Sequence, residues 1–239
     1  MRVTPRQPTL VAFLTILLAA CAGPSVPLLP PQEIVERSAE AMSSLPGFHF
    51  LIERTGAPAF LSEEQSISLR RVEGDFVAPD RARAAVRVIA PGAVLDVQAI
   101  SLDGRYWETN PFSGSWQEYP AEQGFNPALL FAPETGIPAM LRSDLSQLTL
   151  AGVVELEDLP GVDLYEIEGR LDGGRISTLS YGLIGPGVID VKLWIEPGTF
   201  YLQRMMMQEP GGDGGESTVW SVDLWDFGEV AEIRPPDER

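Results

Sequence analysis

The chain has 239 residues, 34 acidic against 17 basic, a formal net charge of −17, and a composition that is 44% hydrophobic and only 21% charged. That much apolar material excludes a wholly disordered polymer and suffices for one large domain or two small ones. The negative charge excludes electrostatic capture of nucleic acid or of an anionic bilayer, so contact with a membrane has to be made through apolar groups.

At the N-terminus Arg2 and Arg6 precede an apolar run, Leu10 to Leu18, interrupted only by Thr15 and followed by the small Ala19 and Ala20. This is the three-part pattern of a secretory signal peptide over residues 1–20. The run is too short to cross a bilayer as a helix, which takes about 20 apolar residues. Leu18-Ala19-Ala20-Cys21 resembles a bacterial lipobox, in which the cysteine becomes the acylated first residue of the mature protein. Cys21 is the one cysteine in the chain, so it is expected to be a lipid anchor, for example through palmitate, and not half of a disulfide. Several acyl chains on one residue hold a protein far better than one, at about 0.8 kcal/mol per buried methylene. The expected location is the extracytoplasmic face of the cell membrane. The excised peptide carries two arginines and no acid, so cleavage would move the net charge from −17 to −19.

Residues 21–31 continue as AGPSVPLLPP after the cysteine, four prolines in ten positions, which predicts an extended tether that lifts the folded part off the membrane. A single domain is expected over residues 32–236. In QEIVERSAEAMSSL, Ile34, Val35, Ser38, Met42 and Leu45 share one helical face, and Pro46-Gly47 ends the helix. From Phe48 the period becomes two: Phe48, Phe50 and Ile52 alternate with His49, Leu51 and Glu53. The same alternation recurs in Ala82, Ala84, Val86 and Val88, and in Ile189, Val191, Leu193 and Ile195. These are strands with one dry and one wet face, as in an antiparallel sheet. Turns are expected at Glu73-Gly74-Asp75, Asp103-Gly104, Ser113-Gly114 and Pro197-Gly198. Asn126-Pro127 predicts a helix N-terminus leading into Ala128-Leu129-Leu130-Phe131. Ile176, Leu179 and Leu183 have helical spacing but would also make a poor strand, and GGDGGE at 211–216 is expected to be a hairpin loop.

Catalytic chemistry has little to work with. His49 is the sole histidine and sits in a strand between two phenylalanines, which points to a structural role. No nucleophile elbow, zinc-binding helix pair or phosphate-binding glycine loop is present in the sequence. The pairs Glu155 with Glu157 and Glu166 with Glu168 have the spacing that any solvated sheet face produces, and Asp213 stands in a glycine-rich turn without a series of oxygen ligands. No cofactor, no metal and no enzyme activity are expected. Met205-Met206-Met207, with Phe200 and Leu202, offers adaptable apolar contacts.

Several segments, in order, resemble the LppX/LprG/LprA/LprF lipoprotein family: a helix leading into LPGFHFLIERTG, then EGDFVAPDRARAAVRV, DGRYWETNPFSGSWQEY and the NPALLF helix, followed by VDLYEIEGRL, VIDVKLWIE, YLQRM and VDLWDFGEVAEIRPP. The resemblance covers most of residues 33–236. It implies an α+β fold, a strongly curved antiparallel sheet forming an open half-barrel, with helices packed on its concave face, similar in architecture to carriers that ferry lipoproteins across a periplasm. It also implies a helix at 176–183. Its members are associated with lipid or glycolipid carriage, so the implied function is an anchored carrier that binds and transports or presents a lipid or glycolipid. An envelope transport protein would be a further partner.

The lining expected for such a cavity is Phe48, Phe50, Ile52, Val86, Val88, Leu129, Phe131, Leu141, Val191, Leu193, Met206, Trp220 and Val222. The same residues would also fill a closed core. With a filled interior the fold would suit a different role, an envelope scaffold or sensor that binds a protein partner through its acidic surface.

Overall fold

The computed structural model describes residues 26–61, 66–120, 125–211 and 215–236. Cys21, the predicted signal peptide and Asp213 lie outside the described residues. Helix α1, Pro31–Ser43, starts with proline at its first position, where no amide donor is needed. It buries Ile34, Val35, Ser38, Ala39 and Met42, essentially the face anticipated from the sequence. Strands β1 (Gly47–Gly56), β2 (Ala59–Phe60), β3 (Ser68–Val77), β4 (Arg81–Ala90), β5 (Ala93–Leu102), β6 (Arg105–Thr109) and β7 (Trp116–Pro120) follow. The helices α2 (Pro127–Phe131) and α3 (Ile137–Ser143) come next, then β8 (Leu145–Leu156) and β9 (Leu159–Asp172). Helix α4 (Gly173–Leu179) and strands β10 (Val188–Ile195), β11 (Leu202–Glu209) and β12 (Thr218–Trp225) complete the chain.

One antiparallel sheet contains all twelve described strands in the order β7-β6-β5-β4-β3-β1-β12-β11-β10-β9-β8, with β2 added beside β3. β7 and β8 are the two edges, so the sheet is open. The first half of the chain builds outward from β1 to one edge. The segment carrying α2 and α3 then passes to the other edge, and the second half builds back until β12 pairs with β1, Phe50 opposite Leu224. Such a crossover has to traverse one face of the sheet, and the apolar face is where its own apolar side chains can be buried. Phe131 of α2 accordingly meets the rings of Phe48, Phe50 and Phe76, at centroid distances of 5.3, 4.7 and 5.8 Å.

The alternation read from the sequence holds through β1, β4 and β10, where Phe48, Phe50, Ile52, Ala82, Ala84, Val86, Val88, Ile189, Val191, Leu193 and Ile195 are all buried. The opposite face carries ion pairs, across strands between Arg71 and Glu53, Arg83 and Asp75, and Arg87 and Asp96, and along β3 between Arg71 and Glu73. Lys192 lies between Glu166 and Glu168, as a solvated face would have it. Part of this face is covered as well, since Ile233 of the C-terminal segment packs with Val77, Ile100 and Trp107.

Local expectations at Asp103-Gly104 and Asn126 are met. Asp103 and Gly104 take φ of 53° and 73°, the left-handed pair of a tight hairpin. The Asn126 side chain accepts from the Ala128 amide at 3.0 Å and caps α2. The segment at Ile176 is helical, although the helix ends at Leu179 and Leu183 lies beyond it.

Three expectations need correction. Glu73-Gly74-Asp75 is the middle of β3 and not a turn. Gly74 is required there by close approach, because a Cβ would stand 2.1 Å from the Arg83 carbonyl oxygen and 2.7 Å from Ala84 Cα. Met206 faces away from the core, while Met205 and Met207 are buried. The cause is a bulge: Leu202 pairs with Ile195 and Arg204 with Trp194, which leaves Gln203 as an extra residue and inverts the alternation beyond it. Residues 26–31 do not form a free tether. Val26 and Leu29 pack on the core, and Tyr165 Oη donates to the Pro27 carbonyl at 2.6 Å.

Candidate functional site

Two apolar spaces lie on the helix-covered face, and they share walls. The outer one is a cleft of about 210 Å³. Its floor is Val86 and Val88 of β4 with Val97 of β5, the last directly opposite Val86 in the ladder. Its rim is formed by Phe60 and Leu61 on one side and Tyr181 on the other, exposed to 37%, 40% and 62%. Three large apolar side chains are thus left partly exposed around the mouth of one cleft.

The inner space holds about 20 Å³ and has a wholly apolar exposed lining. Ile52, Met207, Trp220 and Val222 form its sheet side, and Leu130, Ile137 and Ile176 its helix side. Phe125 and Leu183 line both spaces. Small-molecule pockets usually hold about 300–1,000 Å³, so in this conformation the inner space is far smaller than a ligand site and the cleft is the larger of the two.

Hydrogen bonds hold the segments that separate the spaces. Ser180 Oγ accepts from the Ile184 amide at 3.1 Å and donates to the Ser177 carbonyl at 3.3 Å, which knots the loop after α4. Tyr181 within that loop has φ of 55°, a left-handed conformation costly for a side chain of its size. The Glu209 carboxylate accepts from the Gly185 amide at 2.6 Å and from Trp220 Nε1 at 2.9 Å, tying the loop to β12. On the other side Tyr106 Oη lies 2.8 Å from the Phe125 carbonyl oxygen and also meets the Glu108 carboxyl. Glu108 is the one charged side chain among the described residues lining the mouth. Burial pushes its pKa above the usual carboxylate range, against a smaller opposite effect of the Tyr106 hydroxyl. Tyr106 is likewise raised, chiefly by burial.

The residues expected from the sequence to line a cavity divide into groups. Val86 and Val88 line the mouth, and Ile52, Trp220 and Val222 the inner space. Phe48, Phe50, Phe131, Leu141, Val191 and Leu193 are core residues, none more than 3% exposed. Leu129 is half-buried, and its neighbour Leu130 takes the lining position because the Asn126 cap sets the phase of the helix. Met206 is on the far face for the reason given above. Sequence reasoning missed Glu108, Tyr106, Phe125 and Leu183. The available signal was Tyr106 and Glu108 two apart in a strand, which puts a carboxylate on the same side as a buried aromatic.

Two polar features on the sheet are structural. Arg54 is 4% exposed and donates to the carbonyls of Leu69, Gly56 and Ala57, and burial lowers its pKa. His49 Nδ1 lies 2.9 Å from Asp75 Oδ1, with its ring 4.5 Å from that of Trp225.

The family model described as LppX_LprAFG lipoprotein matches residues 30–233. The lipoarabinomannan carrier protein LprG of Mycobacterium bovis (strain BCG / Pasteur 1173P2) is 21% identical over 233 residues, spanning 95% of this chain and 92% of that protein. LprG of Mycobacterium tuberculosis (strain ATCC 25618 / H37Rv) aligns with the same figures. Among solved structures, LprF from M. bovis superimposes with a TM-score of 0.68 at 17% identity, covering 87% of this chain and 97% of LprF. LppX from M. tuberculosis gives 0.59 at 14%, covering 85% and 97%. These two share the open antiparallel sheet.

Proposed function

We propose, from the premise that this chain belongs to the LppX_LprAFG lipoprotein family, that it is a noncatalytic envelope lipoprotein that carries a lipid or glycolipid in the space between its sheet and its helices. The observation that carries this reading is the pair of apolar spaces with common walls at Phe125 and Leu183, one with a partly exposed apolar rim and one lined by buried side chains. An acyl chain enters at the rim and displaces these two side chains to reach Trp220. A chain of about 16 carbons gains on the order of 10 kcal/mol by leaving water, at about 0.8 kcal/mol per methylene. That is enough to offset opening a short helix and a knotted loop. Acylated Cys21 holds the carrier at the extracytoplasmic membrane surface, and an envelope transport protein receives or supplies the cargo.

The test is mass spectrometry of organic extracts from the purified mature chain carrying Cys21→Ser, together with transfer of labelled lipid between vesicles. Co-purified lipid in near-stoichiometric amount and accelerated transfer are expected. A lipid-free protein that leaves transfer at the background rate would overturn the reading.

A further inference from the structure

Among the described residues lining the mouth Glu108 carries the one carboxyl, and it is hydrogen-bonded to Tyr106. Tyr106 Oη approaches two oxygens, the Phe125 carbonyl at 2.8 Å and the Glu108 carboxyl. A tyrosine hydroxyl has one proton to give. The hydroxyl is thus shared between the Phe125 carbonyl and one oxygen of the Glu108 carboxyl. The walls around that carboxyl are apolar, which favours the neutral acid. No lysine or arginine is among the described residues lining this cleft. The nearby strand cations are engaged elsewhere, Arg87 with Asp96 and Arg105 with Glu118.

This arrangement has a definite ligand preference. A carboxyl with one oxygen engaged by the Tyr106 hydroxyl offers its second oxygen as an acceptor, and it meets a hydroxyl on a sugar or glycerol well. A phosphate oxygen has no proton to offer there and finds no cation to replace its lost water. The geometry points to Glu108 as the residue that reads the ligand's polar group at the mouth, selecting lipids with an uncharged, hydroxyl-bearing headgroup over anionic phospholipids. This rests on the carrier reading above and specifies its cargo.

The mature chain with Cys21→Ser is titrated with two fluorescent lipids of identical acyl chains, a monogalactosyl diacylglycerol and a phosphatidylmethanol, whose anionic headgroup has no hydroxyl. The galactolipid should bind at least about tenfold more tightly, the factor one well-made hydrogen bond supplies. Glu108→Leu should bring the two affinities together, and Glu108→Gln, which keeps an acceptor and a donor, should preserve the preference. Equal affinities in the unsubstituted chain, or a preference that survives Glu108→Leu, would overturn the role of Glu108 while leaving the carrier reading intact. Binding of neither lipid would overturn the carrier reading and this assignment together.

Discussion

Phe131 offers a quantitative test of how the helices seal the sheet. It is 2% exposed, and its ring meets Phe48, Phe50 and Phe76 at once. Truncating a buried phenylalanine to alanine costs about 3–5 kcal/mol through lost burial and the cavity left behind. Contact with three rings puts Phe131→Ala toward the upper end, about 4–5 kcal/mol. For a domain of this size each kcal/mol lowers Tm by about 2–4 °C, so a fall of about 8–20 °C is expected. Leu129→Ala is the control, since Leu129 sits on the same short helix but is half-buried; it should cost about 1 kcal/mol, or about 2–4 °C. Thermal unfolding of the mature Cys21→Ser chain, followed by circular dichroism, measures both. A fall below about 3 °C for Phe131→Ala, or equal falls for the two variants, would refute the packing of α2 against the sheet described above.

Two further predictions concern register and ionisation. Met207→Gln should destabilise the domain by about 2 kcal/mol or more and Met206→Gln by less than about 1, because the bulge at Gln203 puts only Met207 in the core; denaturant melts that rank the two in reverse would contradict the register. Glu108 is protonated more readily in the fold than in the open chain, so its contribution to stability is complete below the ordinary glutamate pKa of about 4.3 and is lost as pH rises through its raised value. The stability of the unsubstituted chain relative to Glu108→Gln should therefore decline with increasing pH across that window. A difference that stays flat, or grows, would contradict a carboxyl whose pKa is raised by partial burial.

Much of the fold is written in local pattern. The 3.6-residue spacing of Ile34, Val35, Ser38 and Met42 and the two-residue alternation in β1, β4 and β10 both reflect one-sided burial, which a sequence displays directly. The cap at Asn126 and the turn at Asp103-Gly104 are equally local, because their chemistry depends on neighbours in sequence. What failed depended on partners distant in the chain. Gly74 reads as a turn residue until Arg83 and Ala84 of β4 are seen to press on it. Met205-Met206-Met207 is apolar throughout, and only the pairing with Trp194 and Ile195 reveals the bulge that turns Met206 away from the core. The candidate site was half legible for the same reason. Ile52, Val86, Val88, Trp220 and Val222 line the spaces because their strands expose them to one face. Phe125 and Leu183 do so because loops bring them together, and Glu108 is notable only once Tyr106 and the Phe125 carbonyl are beside it.

On the proposed carrier function, an acyl chain passes Phe125 and Leu183 to reach the space beneath them. Trp220 lines that space, whereas Trp225 lies against His49 on the opposite face. Tryptophan fluorescence of the mature chain titrated with a lipid brominated near its acyl terminus reports the contact directly. The account predicts quenching that is saturable and that largely disappears in Trp220→Phe but persists in Trp225→Phe. Quenching that is absent, or that is unaffected by Trp220→Phe, would mean that the chain never enters the interior.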